Sequence, residues 1–452
     1  MNIKIYIVFS FILLCSCSSL HTNYEFYEPV ISDLKNADYQ QAENKIWEAE
    51  QKGEYETKDS LLLLMDKAVI SHYNGKYSES NKWFDKAEML IEELYTKSVS
   101  QAAFSYILND NIVDYSGEVY ENLYINIFKA LNFINLKDFN SAYVEVNRIN
   151  NKLKYYKTMF AEMTDSFNKD SENKLKMNPK EFEYLNNVLA NYLSFLIFRA
   201  EGEYDNSRIS YNQMLDAWNT YTDVYNFEAP SVFDSTGYNS TYLNILSFTG
   251  TAPQKKAVGA RITTFDDALV ISDPSNYYIQ PIFFPGIKYG LNFKFSFPEM
   301  IESGTGVNKI ILKIDGKETA ELNLLENMNS VAIKTFEVNK NMIFFKTIVR
   351  SVAKGIAAGA IGNELKKNSD SFLGDVFKAI TNVAFDITEN ADLRSWRTMP
   401  GYCFTGEVKI DPGKYNIEII YLDYYGNIIQ KDNFKDYEIE KGLNLIESIC
   451  LL

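Results

Sequence analysis

The chain has 452 residues, 46% hydrophobic and 23% charged, which is the composition of a folded protein and excludes a wholly disordered chain. Its 60 acidic residues outnumber 45 basic ones, and the formal charge of −15 argues against a nucleic-acid partner, because phosphate binding needs surplus Lys and Arg. With two histidines and no cysteine spacing typical of a metal site, the sequence predicts no metal and no cofactor.

The N-terminus carries a targeting segment. Lys4 precedes an apolar run, Ile5 to Cys15, which is too short to span a bilayer and has the length of a signal-peptide core. The run ends in Leu-Cys-Ser-Cys-Ser-Ser, which resembles a bacterial lipoprotein lipobox. That resemblance implies a signal peptide over residues 1–16, cleavage after Ser16 and acylation of Cys17. The alternative is an ordinary secretory signal cleaved nearby.

The residues after the acceptor cysteine bear on location. Ser18 and Ser19 are not the acidic residues that are linked in enteric bacteria to retention in the inner membrane. The lipobox resemblance therefore implies a lipid anchor in the outer membrane, on its periplasmic side or at the cell surface. No later stretch reaches 18 uncharged apolar residues, so the sequence predicts no transmembrane helix.

From about Tyr27 to about Tyr225 the sequence shows helical periodicity with few prolines, which predicts a helical-repeat domain over residues 17–228. After Gly75 the sequence is similar to the second helix of a tetratricopeptide repeat: Tyr77, a small residue three positions on, an aromatic four further, then Ala. The spacing recurs from Tyr39, Phe139 and Tyr204, but these anchors lie 38, 62 and 65 residues apart instead of about 34. We therefore predict a degenerate helical-repeat domain, with a plain helical bundle as the alternative.

Repeats of this class generally expose a concave face that takes a partner peptide or protein. We expect His72 and Tyr73 near such a face, although a lone histidine beside an apolar stripe is more often a packing residue. The repeats predict an envelope protein as partner.

After Phe227 the pattern becomes that of strands and turns. A loop-rich linker is predicted over residues 231–256, with one short apolar stretch at 242–248, and Asp315-Gly316 is a hairpin signal with a return strand over 318–325. Residues 229–452 are thus predicted to form a β-sandwich-like domain with a helical insertion at about 340–389. Predicted strands are 277–284, 292–297, 309–314, 405–410, 415–421 and 443–452. The predicted fold class is α+β, multidomain.

Cys403 and Cys450 are the cysteines left after the signal and the lipid site. In an oxidising compartment the pair suggests a disulfide. The alternative is two small buried residues on strands.

Three short motifs, Gly250–Lys255, Ile279–Pro285 and Ala391–Pro400, look like those of a family of bacterial lipoproteins with N-terminal helical repeats and no established activity. The resemblance implies an envelope lipoprotein and no catalytic residues. In an extended chain, Asp392, Arg394 and Trp396 would share one face. Arg394 would then pair with Asp392 and stack on Trp396, as a structural clamp between the helices and the β-domain.

No nucleophile or phosphate-loop motif stands above chance, so the sequence predicts a protein that is not an enzyme. The predicted function is a lipid-anchored cell-envelope scaffold or adaptor that binds a protein, such as a component of cell-wall synthesis or export. The alternatives are a surface-displayed ligand-binding lipoprotein and a carboxylate-dependent glycan hydrolase.

Overall fold

A computed structural model describes residues 26–100, 113–169, 182–230, 240–272, 279–283, 289–290, 292–357 and 391–452. Within them the fold is mixed: helices occupy the first half, and several β-sheets follow. The predicted cleavage after Ser16, the acylated Cys17 and the part of the predicted helical insertion beyond residue 357 lie outside the described residues.

Eight α-helices of the described first half pack as four consecutive pairs. They are α1 Tyr27–Lys35, α2 Tyr39–Lys52, α3 Ser60–Tyr73, α4 Tyr77–Ser100, α5 Val119–Asn135, α6 Phe139–Lys169, α7 Val188–Glu201 and α8 Tyr204–Thr220. The second helix of each pair begins at one of the four predicted anchor aromatics.

One turn geometry recurs in all four pairs. Two positions before the second helix, φ is 55° at Ala37, 70° at Gly75, 59° at Lys137 and 77° at Gly202. A left-handed backbone is easy for glycine and strained for a residue with a Cβ. The same turn is nevertheless adopted by Ala37 and Lys137, although both carry a Cβ.

The two helices of a pair differ in burial. The second helices (α2, α4, α6 and α8, the outer row) bury one face and leave the other to solvent, whereas α3, α5 and α7 (the inner row) are buried almost all round. Positions predicted from the repeat spacing lie on the buried face of the outer row. They include Ala42, Ile46, Ser80, Phe84, Ala87, Ala142, Val146, Ser207 and Met214.

The described strands form three four-stranded sheets, ordered β12-β1-β9-β8, β11-β10-β6-β7 and β4-β3-β2-β5. The strands are β1 Tyr242–Thr249, β2 Gln254–Phe265, β3 Ala268–Ser272, β4 Ile279–Phe283, β5 Asn292–Ile301, β6 Lys309–Ile314, β7 Lys317–Glu321, β8 Asn323–Asn327, β9 Tyr402–Lys409, β10 Gly413–Leu422, β11 Ile428–Ile439 and β12 Leu443–Cys450.

The first sheet lies between the inner row and the second sheet. β1 pairs in parallel with β12 and antiparallel with β9, and all eight of its residues are buried. Leu246 and Phe248 belong to the core that contains the helices, whereas Leu243 and Ile245 belong to a core shared with the second sheet. The helical core thus crosses the predicted domain boundary at 228/229 without a break.

The third sheet packs against a ninth described helix, α9, Met328–Ala357. Phe344 of α9 contacts Phe295 and Phe297 of β5, with ring centroids 5.8 and 5.1 Å apart. α9 begins directly after β8, twelve residues before the predicted start of the insertion. Its first turns also contact α5, so this helix links the third sheet to the inner row.

Two predictions of elements were wrong, the linker over residues 231–256 and the single return strand over 318–325. The stretch at 242–248, assigned to a linker, is the buried strand β1, and the predicted linker also conceals the start of β2. The return strand at 318–325 is two strands, because β7 stays in the second sheet while β8 joins the first. A strand buried on both faces lacks the alternating pattern by which strands are recognised, which explains the miss at β1.

Cys403 and Cys450 are both free and buried. Cys403 lies opposite Phe248 and Cys450 opposite Thr249, so one strand separates them and their side chains point to opposite faces of the first sheet. The suggested disulfide is therefore absent from this structure, and its alternative, two buried strand residues, describes what is present.

Candidate functional site at the helix–sheet interface

Buried polar groups concentrate where the inner row meets the first sheet and the extended segment 391–400. We call that segment the connecting segment; it leads into β9 and has no regular secondary structure. Asp392, Arg394 and Trp396, the three predicted clamp residues, all lie in this interface.

Arg394 is a centre of the contact. It is 2% exposed, and its Nε and Nη2 donate to the two carboxylate oxygens of Asp392 at 2.9 and 2.8 Å. Its Nη1 donates to Asp59 at 3.1 Å and to the Val113 carbonyl at 3.1 Å, both in the helical half. The ring beneath the guanidinium is Tyr115, 5.1 Å away, and not Trp396 as expected.

Trp396 fills an aromatic pocket of the helices. Its ring contacts Phe84 and Phe128 at centroid distances of 6.0 Å, and it is fully buried. Its backbone N–H donates to Glu121 of α5 at 2.7 Å, and its indole N–H donates to Thr398 at 3.0 Å. The connecting segment thus lies against the inner row as an extended peptide would lie in a groove.

Glu121 occupies the first turn of α5. Its carboxylate accepts from the Glu118 backbone N–H at 2.9 Å, as in one half of a capping box, and from the hydroxyls of Tyr115 and Tyr120 at 2.8 and 3.1 Å. Burial raises the pKa of Glu121 to about 7, although Lys255 nearby acts to lower it. Its direct partners are hydroxyls and backbone amides.

Lys255 of β2 is buried beside this carboxylate and pairs with Glu118. Glu118 also accepts from Asn339 of α9 at 2.9 Å. Burial lowers the pKa of Lys255, but the carboxylates of Glu118, Asp392 and Glu121 outweigh it and raise that pKa, so the ammonium stays charged. The pair joins α5, β2 and α9 at one point.

Asp66 of α3 is another carboxylate in contact with the connecting segment, besides Asp59 and Glu121. It accepts from Thr398 at 2.6 Å and from the hydroxyls of Tyr27 and Tyr55 at 2.7 Å each. Burial raises the pKa of Asp66 to about 6, against the opposing effect of these donors. Tyr73 adds a hydrogen bond to the Thr398 carbonyl at 3.0 Å.

Glu326 of β8 is buried against the N-terminus of α7. It accepts from Tyr124 at 2.5 Å, Asn187 at 2.9 Å, the Leu189 backbone N–H at 3.1 Å and Tyr225 at 3.0 Å. A bulge in β8 places it there, since Leu324 and Glu326 pair with successive residues of β9. Burial raises its pKa, which these donors partly oppose.

His72 lies between α5 and β12. Its Nδ1 is 2.8 Å from the Asn132 side-chain oxygen and its Nε2 is 3.1 Å from Glu447. Burial lowers the pKa of His72, but Glu447 outweighs it and raises that pKa. His72, which was expected near a concave face, thus makes an internal contact that is covered by the chain's own strand.

This site is an internal contact between two parts of the same chain. Each carboxylate is surrounded by donors of the same chain, and among the described residues no three His, Cys, Asp or Glu side chains are placed to hold a metal. The described part of the chain has a narrow cleft elsewhere, between α2, α3 and α4, where Lys67 lies over the rings of Trp47 and Trp83. No described helix has the length and apolarity needed to cross a membrane.

Sequence reasoning named three residues of the connecting segment and missed Asp66 and Glu326, two buried carboxylates of the same interface. Asp66 follows a run of four leucines and a methionine, and Glu326 follows two leucines. The sequence signal for such a carboxylate is a single acidic residue next to an apolar run. If the run is buried, the acidic residue is buried with it and needs hydrogen-bond donors.

Comparison with known proteins gave no match: no family model fits the chain, and neither the curated proteins nor the solved structures include a significant relative. The lipoprotein-family resemblance of the short motifs therefore stays a prediction.

Proposed function

We propose that this chain is a lipid-anchored bacterial cell-envelope protein that works by binding, with the outer row of helices as its docking face. One observation carries the proposal. The inner row is closed by the first sheet and the connecting segment, whereas the exposed large apolar side chains of the four helical pairs lie on the outer row or at the turns leading to it.

The inner row is closed by contacts all along its length. His72 contacts β12, Tyr124 contacts β8, and Arg199 at the end of α7 pairs with Glu407 of β9. A tetratricopeptide-type groove, if that is the repeat type, is thus filled by its own chain. The first and second sheets, with their shared core, would form the sandwich that fills it.

The outer row offers another surface. Met89 of α4 is 69% exposed, Val144 of α6 48% and Ile209 of α8 47%. A contiguous apolar patch marks a protein-interaction site, whereas single exposed apolar residues are normal, and we infer that these three side chains of the outer row belong to one such patch. We infer that an envelope protein docks there and that the β-half acts as a brace.

The anchor has its own test. Acylation of Cys17 predicts an N-terminal peptide that begins at Cys17 and carries fatty-acid mass. Mass spectrometry of the mature N-terminus decides this, since a peptide that starts elsewhere without lipid contradicts the anchor.

The docking face is tested by photo-crosslinking in intact envelopes, followed by purification through a C-terminal tag. A crosslinker at Met89 or Ile209 should give the same higher-mass product, and Met89→Glu with Ile209→Glu should remove it. The matched control places the crosslinker at Tyr289, which is 72% exposed on the third-sheet half. Products equal at all three positions, or none at Met89 and Ile209, would contradict docking by the outer row.

A further inference from the structure

The hairpin between β10 and β11 ends in an exposed aromatic tip. Tyr424 is 82% exposed, Tyr425 86% and Ile428 62%, and the two tyrosine rings contact each other edge to face at 5.9 Å. No other adjacent pair of large apolar residues in the described chain is as exposed. A cluster of exposed apolar side chains such as this one marks a surface that interacts with a protein or a membrane.

The tip is held in one conformation. The Asp423 carboxylate accepts from the backbone N–H groups of Tyr425 and Asn427, both at 2.8 Å, and from the Asn427 side chain at 3.0 Å. Gly426 takes the left-handed conformation that the turn requires, with φ of 82°. The tyrosines are therefore presented by a rigid turn, and its single charged residue is engaged within the turn itself.

The tip emerges beside the first helical pair. The carbonyl of Ile449 accepts from Gln430 near the start of β11 at 2.7 Å and from Tyr39 at the start of α2 at 3.2 Å. α1 directly precedes α2, and eight residues, 18–25, separate Cys17 from the first described residue. An extended chain of that length reaches about 30 Å, which is comparable with the size of one helical pair.

We propose that Tyr424, Tyr425 and Ile428 rest in the headgroup region of the same bilayer that takes the acyl chains of Cys17. Tyrosine suits this region, because its ring enters the apolar boundary while its hydroxyl stays hydrated. The net charge of −15 provides no attraction to anionic lipid, so the contact is apolar and aromatic. The inference rests on the proposed anchor and adds a second, oriented contact with the membrane.

Such a contact would fix the orientation of the molecule relative to the membrane. A single tether lets the protein turn freely, whereas a tether and a rigid tip hold the first helical pair toward the bilayer. The pairs follow one another along β12, with Lys137 near Glu440, His72 near Glu447 and Tyr39 near Ile449. The fourth pair, which contacts β12 as well as β8 and β9 and comes last in this order, would then point away from the membrane.

The experiment uses the full acylated chain in vesicles of phosphatidylethanolamine and phosphatidylglycerol. A nitroxide at Tyr425→Cys is compared with one at Ile209→Cys on α8, since Cys403 and Cys450 are buried. We expect the Tyr425→Cys label to be relaxed mainly by oxygen, which partitions into lipid, and the Ile209→Cys label mainly by a water-soluble nickel chelate. If both labels are relaxed mainly by the nickel chelate, as they would be in water, the proposal is overturned. A Tyr425→Cys label shielded from both reagents indicates a protein on the tip, and this also overturns it.

A second measurement separates the tip from the anchor. A chain without lipid, made with Cys17→Ser and no signal peptide, should sediment weakly with the same vesicles, and Tyr424→Ser with Tyr425→Ser should reduce that binding about tenfold. Phe265→Ser, at an aromatic position in the third sheet, is the matched control. If Cys17 proves unmodified but the tyrosines still govern vesicle binding, the anchor fails and the tip stands. If Cys17 is acylated and the tyrosine pair has no effect, the tip fails and the anchor stands.

Discussion

The first sheet has two faces of different chemistry. On the side of the second sheet, the core consists mainly of aliphatic side chains such as Leu243, Ile310 and Ile419, with one chain of hydroxyls that runs from Ser247 through Tyr421 to Ser448 and Asp432. On the side of the helices, the apolar core contains buried carboxylates, a histidine and the Arg394 cluster. The same strands therefore take part in both kinds of packing.

The difference teaches how the two halves recognise each other. An apolar core accepts many arrangements of similar volume, whereas a buried carboxylate is tolerated only where its donors are in place. Asp66, Glu121 and Glu326 each require donors from both halves or from several helices. We infer that buried apolar side chains stabilise both faces and that the buried polar groups of the helix–sheet face also fix the docking geometry.

Trp396→Ala is expected to have the largest effect. Removing this side chain leaves a cavity between Phe84 and Phe128 and should lower the free energy of unfolding by about 3–5 kcal/mol. Ile419→Ala, on the opposite face, should lower it by about 2–4 kcal/mol. Urea unfolding measures both. The comparison of the two faces fails if the free energy of unfolding of Trp396→Ala lies within about 1 kcal/mol of the wild-type value.

Arg394→Met should be destabilising by about 3 kcal/mol, since it leaves the buried Asp59 and the half-buried Asp392 without their cation. Arg394→Lys should recover less than half of that loss, because a single ammonium cannot reproduce the fork that reaches both carboxylates. Thermal or urea unfolding of the two variants and of wild type measures both losses. Full rescue by lysine would show that charge alone, and not the geometry of the clamp, matters here.

Glu121→Gln should flatten the pH dependence of stability. Because folding raises the pKa of Glu121 to about 7, the folded state holds a proton that the unfolded state has lost, and stability falls as the pH rises through that value. The raised pKa values of Asp66, Glu326 and His72 act in the same direction. Between pH 5 and pH 8, Glu121 accounts for roughly 2 kcal/mol of the decrease.

The measurement is urea unfolding at pH 5 and at pH 8. Glu121→Gln should lose less stability between the two than wild type does, and the exposed control Glu48→Gln on α2 should follow wild type. Equal slopes for all three proteins contradict the assignment.

The smallest effect is expected at Lys137. It pairs with Glu440 at 3.1 Å across the same helix–sheet boundary, but the two side chains are 74% and 62% exposed. Solvent screens such a pair, so Lys137→Ala should change the free energy of unfolding by less than about 0.5 kcal/mol. A loss as large as that of Arg394→Met would mean that position at the boundary, and not burial, determines the energy.

The spacing of the repeat and the alternation of three residues in the connecting segment could be read from the sequence because both are local. Tyr77, Phe84 and Ala87 follow one helix face, and Asp392, Arg394 and Trp396 alternate along one extended segment. What the clamp meets could not be predicted, because Asp59 and Glu121 are more than 250 residues away in sequence. The concave face was expected to be open, since nothing in a local pattern shows that another part of the chain fills it.

The two native cysteines give the most direct test of the account, because Cys403 faces the helices and Cys450 faces the second sheet. In the Cys17→Ser chain, we propose measuring the labelling rate of each thiol by mass spectrometry from pH 5 to pH 8. The intrinsic effect of pH on thiol reactivity cancels in the ratio of the two rates. The account predicts that the ratio of Cys403 to Cys450 labelling rises with pH, because the carboxylate-rich face loosens first. A constant ratio, or faster labelling of Cys450, would contradict it.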